Sequence, residues 1–219
     1  MSQDQTTFRV AVIPVTGFQQ NCSVVYDDTS KRGAVVDPGG DVAMIMEAIS
    51  KMGLAIEKIL LTHGHIDHAG GAAELREKLG VTIEGPHQAD KFLLDNLPQS
   101  GARYGMTDAR AVEPDRWLGD GDVVEVAGLR FAIVHAPGHS PGSVVFFNEA
   151  NRFALMGDVL FQGSIGRTDL PGGSHETLLS SIREKVLPLG DDVVFLPGHG
   201  GASRIGDERA NNPFLTGRA

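Results

Sequence analysis

Apolar and β-branched residues run through Arg9 to Val15, Cys22 to Tyr26 and Ala34 to Val36, each run bounded by glycine or aspartate turns, as in short strands. The period then changes. Between Asp41 and Met52, the residues Val42, Ile45, Met46 and Ile49 fall at helical spacing, with Asp41 placed as N-cap and Gly53 as the stop. Ile56 to Leu61 is an apolar strand that runs into a histidine cluster, and Gly71 to Leu79 has helix-forming composition ending at Gly80. Pro98 to Asp120 shows no period and is expected to be an irregular surface loop. Asp122 to Val126 and Leu129 to His135 flank Ala127-Gly128 as a hairpin; Val144 to Phe147 and Phe153 to Met156 read as strands, Leu178 to Leu187 as a helix, and Val193 to Leu196 as a last strand.

Strands and helices alternate in two similar halves, which predicts a layered α/β architecture whose hairpins require at least partly antiparallel sheets. No repeat, low-complexity tract or shift in composition marks a boundary, so one domain is expected over residues 1–219. With 41% hydrophobic residues the chain can bury a sizeable core. Its 28 glycines fit many tight turns, or loops whose backbone approaches something closely.

Charge narrows the functional classes. The formal net charge of −9 offers no electrostatic footprint for nucleic acid and no attraction to anionic lipid. No apolar run reaches the roughly 18 residues of a membrane span, and Met1 to Thr7 lacks the order of a signal peptide. The single cysteine, Cys22, cannot form an internal disulfide and reads as a small apolar strand residue. These features predict a cytoplasmic protein with neither nucleic-acid nor membrane partners; nothing in them specifies an oligomeric state.

The chemistry gathers in "LLTHGHIDHAGG", where His63, His65, Asp67 and His68 sit at a strand-to-helix junction. Imidazole and carboxylate donors together suit zinc, iron or manganese. Three later segments repeat the context. "APGHS" places His139, "MGDVL" places Asp158 and "LPGHG" places His199, each just after an apolar strand and beside glycine. Strand ends are where layered α/β folds gather functional groups from distant parts of the chain.

His63-Gly-His65-Ile-Asp67-His68 with His139, Asp158 and His199 resembles the metallo-β-lactamase superfamily, and "GDVLFQGSIGRTDLPGG" with "LPGHG" is similar to its glyoxalase II group, the hydroxyacylglutathione hydrolases, in a short single-domain form. The resemblance implies a four-layer αββα sandwich of two mixed β-sheets flanked by helices, with a two-metal site on one edge. It implies that His63, His65 and His139 hold one divalent metal and Asp67, His68 and His199 a second, with Asp158 bridging both. Zinc is the expected metal, with iron or manganese as alternatives. Asp67 and Asp158 are then the catalytic carboxylates of a thioester hydrolase whose substrate is a small-molecule acyl thioester. Such a pair of cations lowers the pKa of a shared water toward about 7 and polarises the carbonyl.

The resemblance also implies exclusions and alternatives. The aspartate at 158 argues against β-lactam hydrolysis, because the β-lactamases of the superfamily lack that bridge. The histidine at His65 and the expected absence of a further domain argue against flavin-partnered di-iron members, and the acidic charge against RNA-processing ones. An iron-dependent persulfide dioxygenase, a lactone hydrolase and a metal-binding protein without turnover are the other readings. Full-length glyoxalase II enzymes carry a C-terminal helical domain that holds glutathione; the expectation here is that the domain is missing. Their glutathione-contacting lysine and tyrosine align with Arg167 and Asp169, leaving Arg167 as the substrate-binding cation and Asp169 as an unfavourable charge.

Gly138-His-Ser140-Pro-Gly142 also matches a nucleophile elbow. The elbow needs a backbone N–H on the residue after the serine, and Pro141 has none, so Ser140 is expected to be a turn residue or one that supports the ligands from behind. Of the other histidines, His135 reads as a partly buried residue with a satisfied ring, and His87 and His175 as parts of helix starts.

Overall fold

The computed structural model describes residues 7–218. Eight residues of β1 (Phe8–Val15) pair antiparallel with β2 (Gln20–Asp27), which pairs antiparallel with β3 (Arg32–Val36). After helix α1 (Val42–Met52), β4 (Ala55–Leu60) returns parallel to β3. Two short helices, α2 (Ile66–Ala69) and α3 (Ala72–Leu79), lead to β5 (Thr82–Glu84), parallel to β4 and on the far edge of this five-stranded mixed sheet. Helices α4 (Lys91–Asp95) and α5 (Leu97–Tyr104) and a long irregular segment then cross to the second sheet.

The second half opens with the hairpin β6 (Val123–Val126) and β7 (Leu129–His135), followed by β8 (Val144–Asn148) and β9 (Phe153–Gly157). A small ribbon, β10 (Leu160–Phe161) with β11 (Ser164–Ile165), precedes α6 (His175–Ser181), which widens into a π turn over Ile182–Val186. Strand β12 (Val194–Pro197) lies parallel to β9, and β13 (Ser203–Arg204) closes a six-stranded mixed sheet ordered β13-β12-β9-β8-β7-β6. Helices α7 (Ile205–Asn211) and α8 (Pro213–Thr216) follow.

Alternation along the strands makes three apolar layers. In β3, Ala34 and Val36 face the other sheet while Val35 faces the helices; in β8, Phe146 faces the other sheet while Val145 and Phe147 face the helices. Side chains point to opposite faces with a period of two, so a strand covered on both faces must be apolar throughout. One layer lies between the first sheet and α1 and α3, one between the sheets, and one between the second sheet and α6. Three cores between four layers give the expected two-sheet sandwich flanked by helices.

Several expectations need correction. The stretch Pro98–Asp120 is not a loop throughout, because α5 covers its start. Pro98 sits in the first turn of that helix, where its missing N–H costs nothing, so it begins the helix instead of breaking it. Asp41 occupies the N-cap position of α1 without capping it; its carboxylate accepts from Thr16 N at 2.6 Å. The helix placed at Leu178–Leu187 begins earlier, at His175, with the Ser174 hydroxyl accepting from Thr177 N. None of the helices among the described residues is long and apolar enough to cross a membrane.

Candidate metal centre

All seven residues singled out in the sequence meet at one edge of the sandwich, carried by the connections that follow β4, β7, β9 and β12. His63, His65 and His139 form one group of converging donors and Asp67, His68 and His199 another; within each group the donor atoms lie within 4.8 Å of one another. Asp158 lies between them, its Oδ2 at 3.6 Å from His139 Nε2 and 3.7 Å from His199 Nε2, and its Oδ1 at 3.4 Å from His68 Nε2.

Backbone groups and other side chains fix which ring nitrogen each histidine offers. His139 Nδ1 donates to the carbonyl of Arg167 at 2.8 Å, and His199 Nδ1 to that of Phe18 at 3.3 Å. His68 Nδ1 donates to Asp37 Oδ2 at 2.9 Å. The Thr62 hydroxyl donates to the same Asp37 oxygen at 2.6 Å and so accepts from His63 Nδ1 at 3.0 Å. For His63 and His139 the neutral ring then carries no proton on Nε2, which is aimed into the cluster, while His199 Nε2 faces Asp67 Oδ2 at 3.1 Å and His68 Nε2 faces Asp158 Oδ1 at 3.4 Å. Such partners fix the tautomer and orientation of a metal-ligating imidazole.

The donor set fits bound cations. His139 Nε2 stands 3.2 Å from His63 Nε2 and 2.9 Å from His65 Nδ1. The lone pairs of His63 and His139 Nε2 repel at 3.2 Å, whereas tetrahedral ligands on bonds of about 2.0–2.1 Å are spaced about 3.3 Å apart. His68 Nε2 and Asp158 Oδ1 are buried without a hydrogen-bond partner and face one another. Gly198 leaves room for them: a Cβ there would lie 2.1 Å from Asp158 Oδ1 and 2.5 Å from His68 Cε1.

Electrostatics divides the rings. Burial, with His139 alongside, lowers the His65 pKa to about 3, and burial among other imidazoles lowers that of His63. Burial opposes charge on His68 too, but Asp158 and Asp67 outweigh it and raise its pKa. For Asp67 and Asp158, burial favours protonation, yet the surrounding histidines, His68 foremost, outweigh it and keep both below the ordinary carboxylate range.

Other residues of the site were not expected from sequence. Asp37, which follows β3, takes Thr62 N at 2.7 Å as well as the Thr62 hydroxyl and His68, and Gly39 beside it lies so close to α2 that a Cβ would fall on the Asp67 carbonyl. Asp90 is fully buried and ties two ligand loops together, accepting from Gly64 N at 2.9 Å, Gly142 N at 2.5 Å and Ser140 Oγ at 2.7 Å. Ser140 is thus a structural donor, as expected. His135 is half-buried and its Nε2 donates to Pro141 O at 2.9 Å; its ring stacks on His87, whose Nδ1 accepts from Ala89 N at the start of a helical turn.

His65, Asp67, His139, Asp158 and His199 floor a cavity of about 560 Å³ walled by Phe18, Leu93, Tyr104, Phe161, Leu170 and Pro171. Two cations line it, Arg103 from α5 and Arg167. The Arg167 guanidinium is held in a bidentate pair by Asp169, at 2.8 and 2.7 Å.

Residues 15–199 match the family model of the metallo-beta-lactamase superfamily. The chain belongs to that superfamily. It is 46% identical over 211 residues to the hydroxyacylglutathione hydrolase GloC of Haemophilus influenzae, covering 96% of this chain and 99% of that one. Among solved structures it resembles the BLEG-1 B3 metallo-beta-lactamase, with TM-score 0.87, 36% identity and coverage of 95% of this chain and 100% of that chain. It also resembles TTHA1623 in a di-iron-bound form, with TM-score 0.84, 33% identity and coverage of 94% and 100%.

Proposed function

We propose that the protein is a dinuclear-metal hydrolase of acyl thioesters, similar to glyoxalase II, converting S-lactoylglutathione to D-lactate and glutathione with weak recognition of glutathione as a whole. One observation carries the reading: the two donor groups and Asp158 lie at a cavity floor in a chain 46% identical, over nearly its whole length, to a hydroxyacylglutathione hydrolase. His63, His65 and His139 would hold one ion and Asp67, His68 and His199 the other, with Asp158, which lies between the two groups, shared by both. Zinc is the proposed metal, and the di-iron form of a similar structure keeps iron in view.

Two bound divalent ions supply a nucleophile from water near neutral pH and polarise the thioester carbonyl. The chain's own residues do the rest. Asp67 and Asp158, kept ionised by the imidazoles around them, keep negative charge at the ion-binding floor and can accept a hydrogen bond that orients the attacking water. Asp37, Thr62 and the carbonyls of Phe18 and Arg167 hold the ligand rings in place, and the apolar walls exclude bulk water around the scissile carbonyl. Arg167 stands on the cavity wall with its charge shared by Asp169, which fits weak recognition of an anionic thiol.

The test is elemental analysis of protein expressed with ample zinc, iron and manganese, followed by assays of S-lactoylglutathione, a lactone, a chromogenic β-lactam and glutathione persulfide. Close to two metal equivalents with preferred thioester turnover supports the reading. A single equivalent of iron with persulfide oxidation, or a β-lactam preferred over the thioester, overturns it.

A further inference from the structure

Helix α5 presents a polar face to the cavity. Asn96, Ser100 and Arg103 all line it, and their spacing of four and three places them along one side of the helix, while Leu97 and Gly101 turn inward and are buried. The Asn96 amide donates to Ser100 Oγ at 3.3 Å, which aligns the first two residues of the row. Arg103 ends it at the exposed mouth, next to Tyr104, whose ring packs edge-on against Phe18 with centroids 5.2 Å apart.

The charges around the cavity single out Arg103. The chain carries nine more negative than positive charges, so a carboxylate held away from the metal-binding floor is favoured only where a local cation receives it. Of the two cations on the cavity wall, Arg167 is neutralised by its bidentate partner Asp169. Among the described residues Arg103 has no salt bridge and no hydrogen bond, so its planar fork of donors is available to a ligand. An unpaired arginine at the mouth and a metal-binding floor are placed to read the two ends of one molecule.

We propose that the Asn96, Ser100 and Arg103 face is a carboxylate-binding subsite that holds the thiol half of the substrate, so that the enzyme selects thioesters whose leaving thiol bears a carboxylate. This rests on the thioesterase reading above. The carbonyl must reach the metal centre at the floor, so the leaving thiol extends toward the mouth, where Arg103 stands. Arg103 takes one carboxylate in a bidentate pair, and the amide of Asn96 and hydroxyl of Ser100 line the path between floor and mouth. A single anchor of this kind reads a carboxylate and not glutathione as a whole, so a much smaller acidic thiol serves equally well.

The experiment compares three lactoyl thioesters on the metal-loaded enzyme: those of glutathione, of 3-mercaptopropionate and of the neutral thiol N-acetylcysteamine. Arg103→Ala should raise KM for the two acidic thioesters relative to the neutral one by about tenfold, the scale of a lost charge-assisted hydrogen bond. Arg103→Lys should recover part of that preference, and Arg103→Glu should exceed the loss seen with alanine. In parallel, calorimetric titration with S-methylglutathione, which cannot be hydrolysed, reads binding without turnover. If no thioester is hydrolysed but S-methylglutathione binds and Arg103→Ala weakens it, the subsite stands and the thioesterase reading falls. A KM change of the same size for all three thioesters, or binding of S-methylglutathione that is absent or indifferent to Arg103, overturns the subsite.

Discussion

Asp37 Oδ2 accepts the Nδ1 proton of His68 at 2.9 Å, and the same oxygen takes the Thr62 hydroxyl that orients His63. One buried carboxylate thereby sets a ring in each donor group. Asp37→Ala should cut metal affinity about 10–100-fold, the usual cost of losing such a partner. Because His68 belongs to the second group, its ion should leave first on dialysis. Elemental analysis during dialysis would show this; unchanged retention of both ions would show that packing alone orients the rings.

Why the seven donors were legible and Asp37 was not is a matter of chemistry in context. His63, His139, Asp158 and His199 each follow an apolar strand beside glycine, and histidines so placed are hard to explain as core. Asp37 follows β3 in the same way, before Pro38-Gly39-Gly40, but an isolated aspartate before proline and glycine equally signals a turn. Asp90 lies in a helical turn far from any motif, and only the folded chain brings it to Gly64 and Ser140. Helix α5, and Arg103 with it, was hidden because Pro98 and Gly101 lower helical propensity, while packing of Leu97 and Gly101 against the core outweighs that preference. The strand order was partly visible: hairpins follow from short turns, but the parallel pairing of β12 with β9 is a long-range contact that no local pattern encodes.

Asp158 and Ser140 separate the metal mechanism from a serine nucleophile. Asp158→Asn should release at least one metal equivalent and lower turnover by orders of magnitude, because the negative charge between the two donor groups is lost. Ser140→Ala removes one of three donors to buried Asp90 and should cost about 1–2 kcal/mol of stability, with turnover largely kept. Metal content, melting temperature and kcat on the two variants check the pair. Loss of turnover in Ser140→Ala with both ions retained would restore the nucleophile elbow.

Chelation should destabilise the protein measurably. Without cations, His68 Nε2 and Asp158 Oδ1 are buried and unpaired, and the lone pairs of His63 and His139 face each other at 3.2 Å. An ion at a hundred times its dissociation constant stabilises by about 2.7 kcal/mol, which for a chain of this size raises the melting temperature by roughly 5–10 °C. Thermal scans with and without chelator, then with zinc, iron and manganese restored, rank the metals by shift. A melting temperature indifferent to all of them would mean that the cluster holds no ion in the folded protein.

Asp169 and Arg167 supply the last test, because an exposed pair at the cavity wall can be opened without touching the metal centre. The Arg167 side chain holds the Asp169 carboxyl down at about 2. A depressed carboxyl keeps its pair above the ordinary carboxylate pKa and gives it up only as pH falls through that low value, so at neutral pH Asp169 is ionised and offers Arg167 a partner. Asp169→Asn should therefore free the guanidinium and lower KM for acidic thioesters by about threefold, the modest effect expected at an exposed site, with the same factor at every pH above about 5. Arg167→Ala should have little effect in the native background and should abolish the gain in the Asp169→Asn background. His139 should be unaffected in either case, since it bonds the Arg167 carbonyl and not the side chain. A large rise in KM from Arg167→Ala alone would mean that substrate already displaces Asp169, and that Arg167 is an anchor of the bound state.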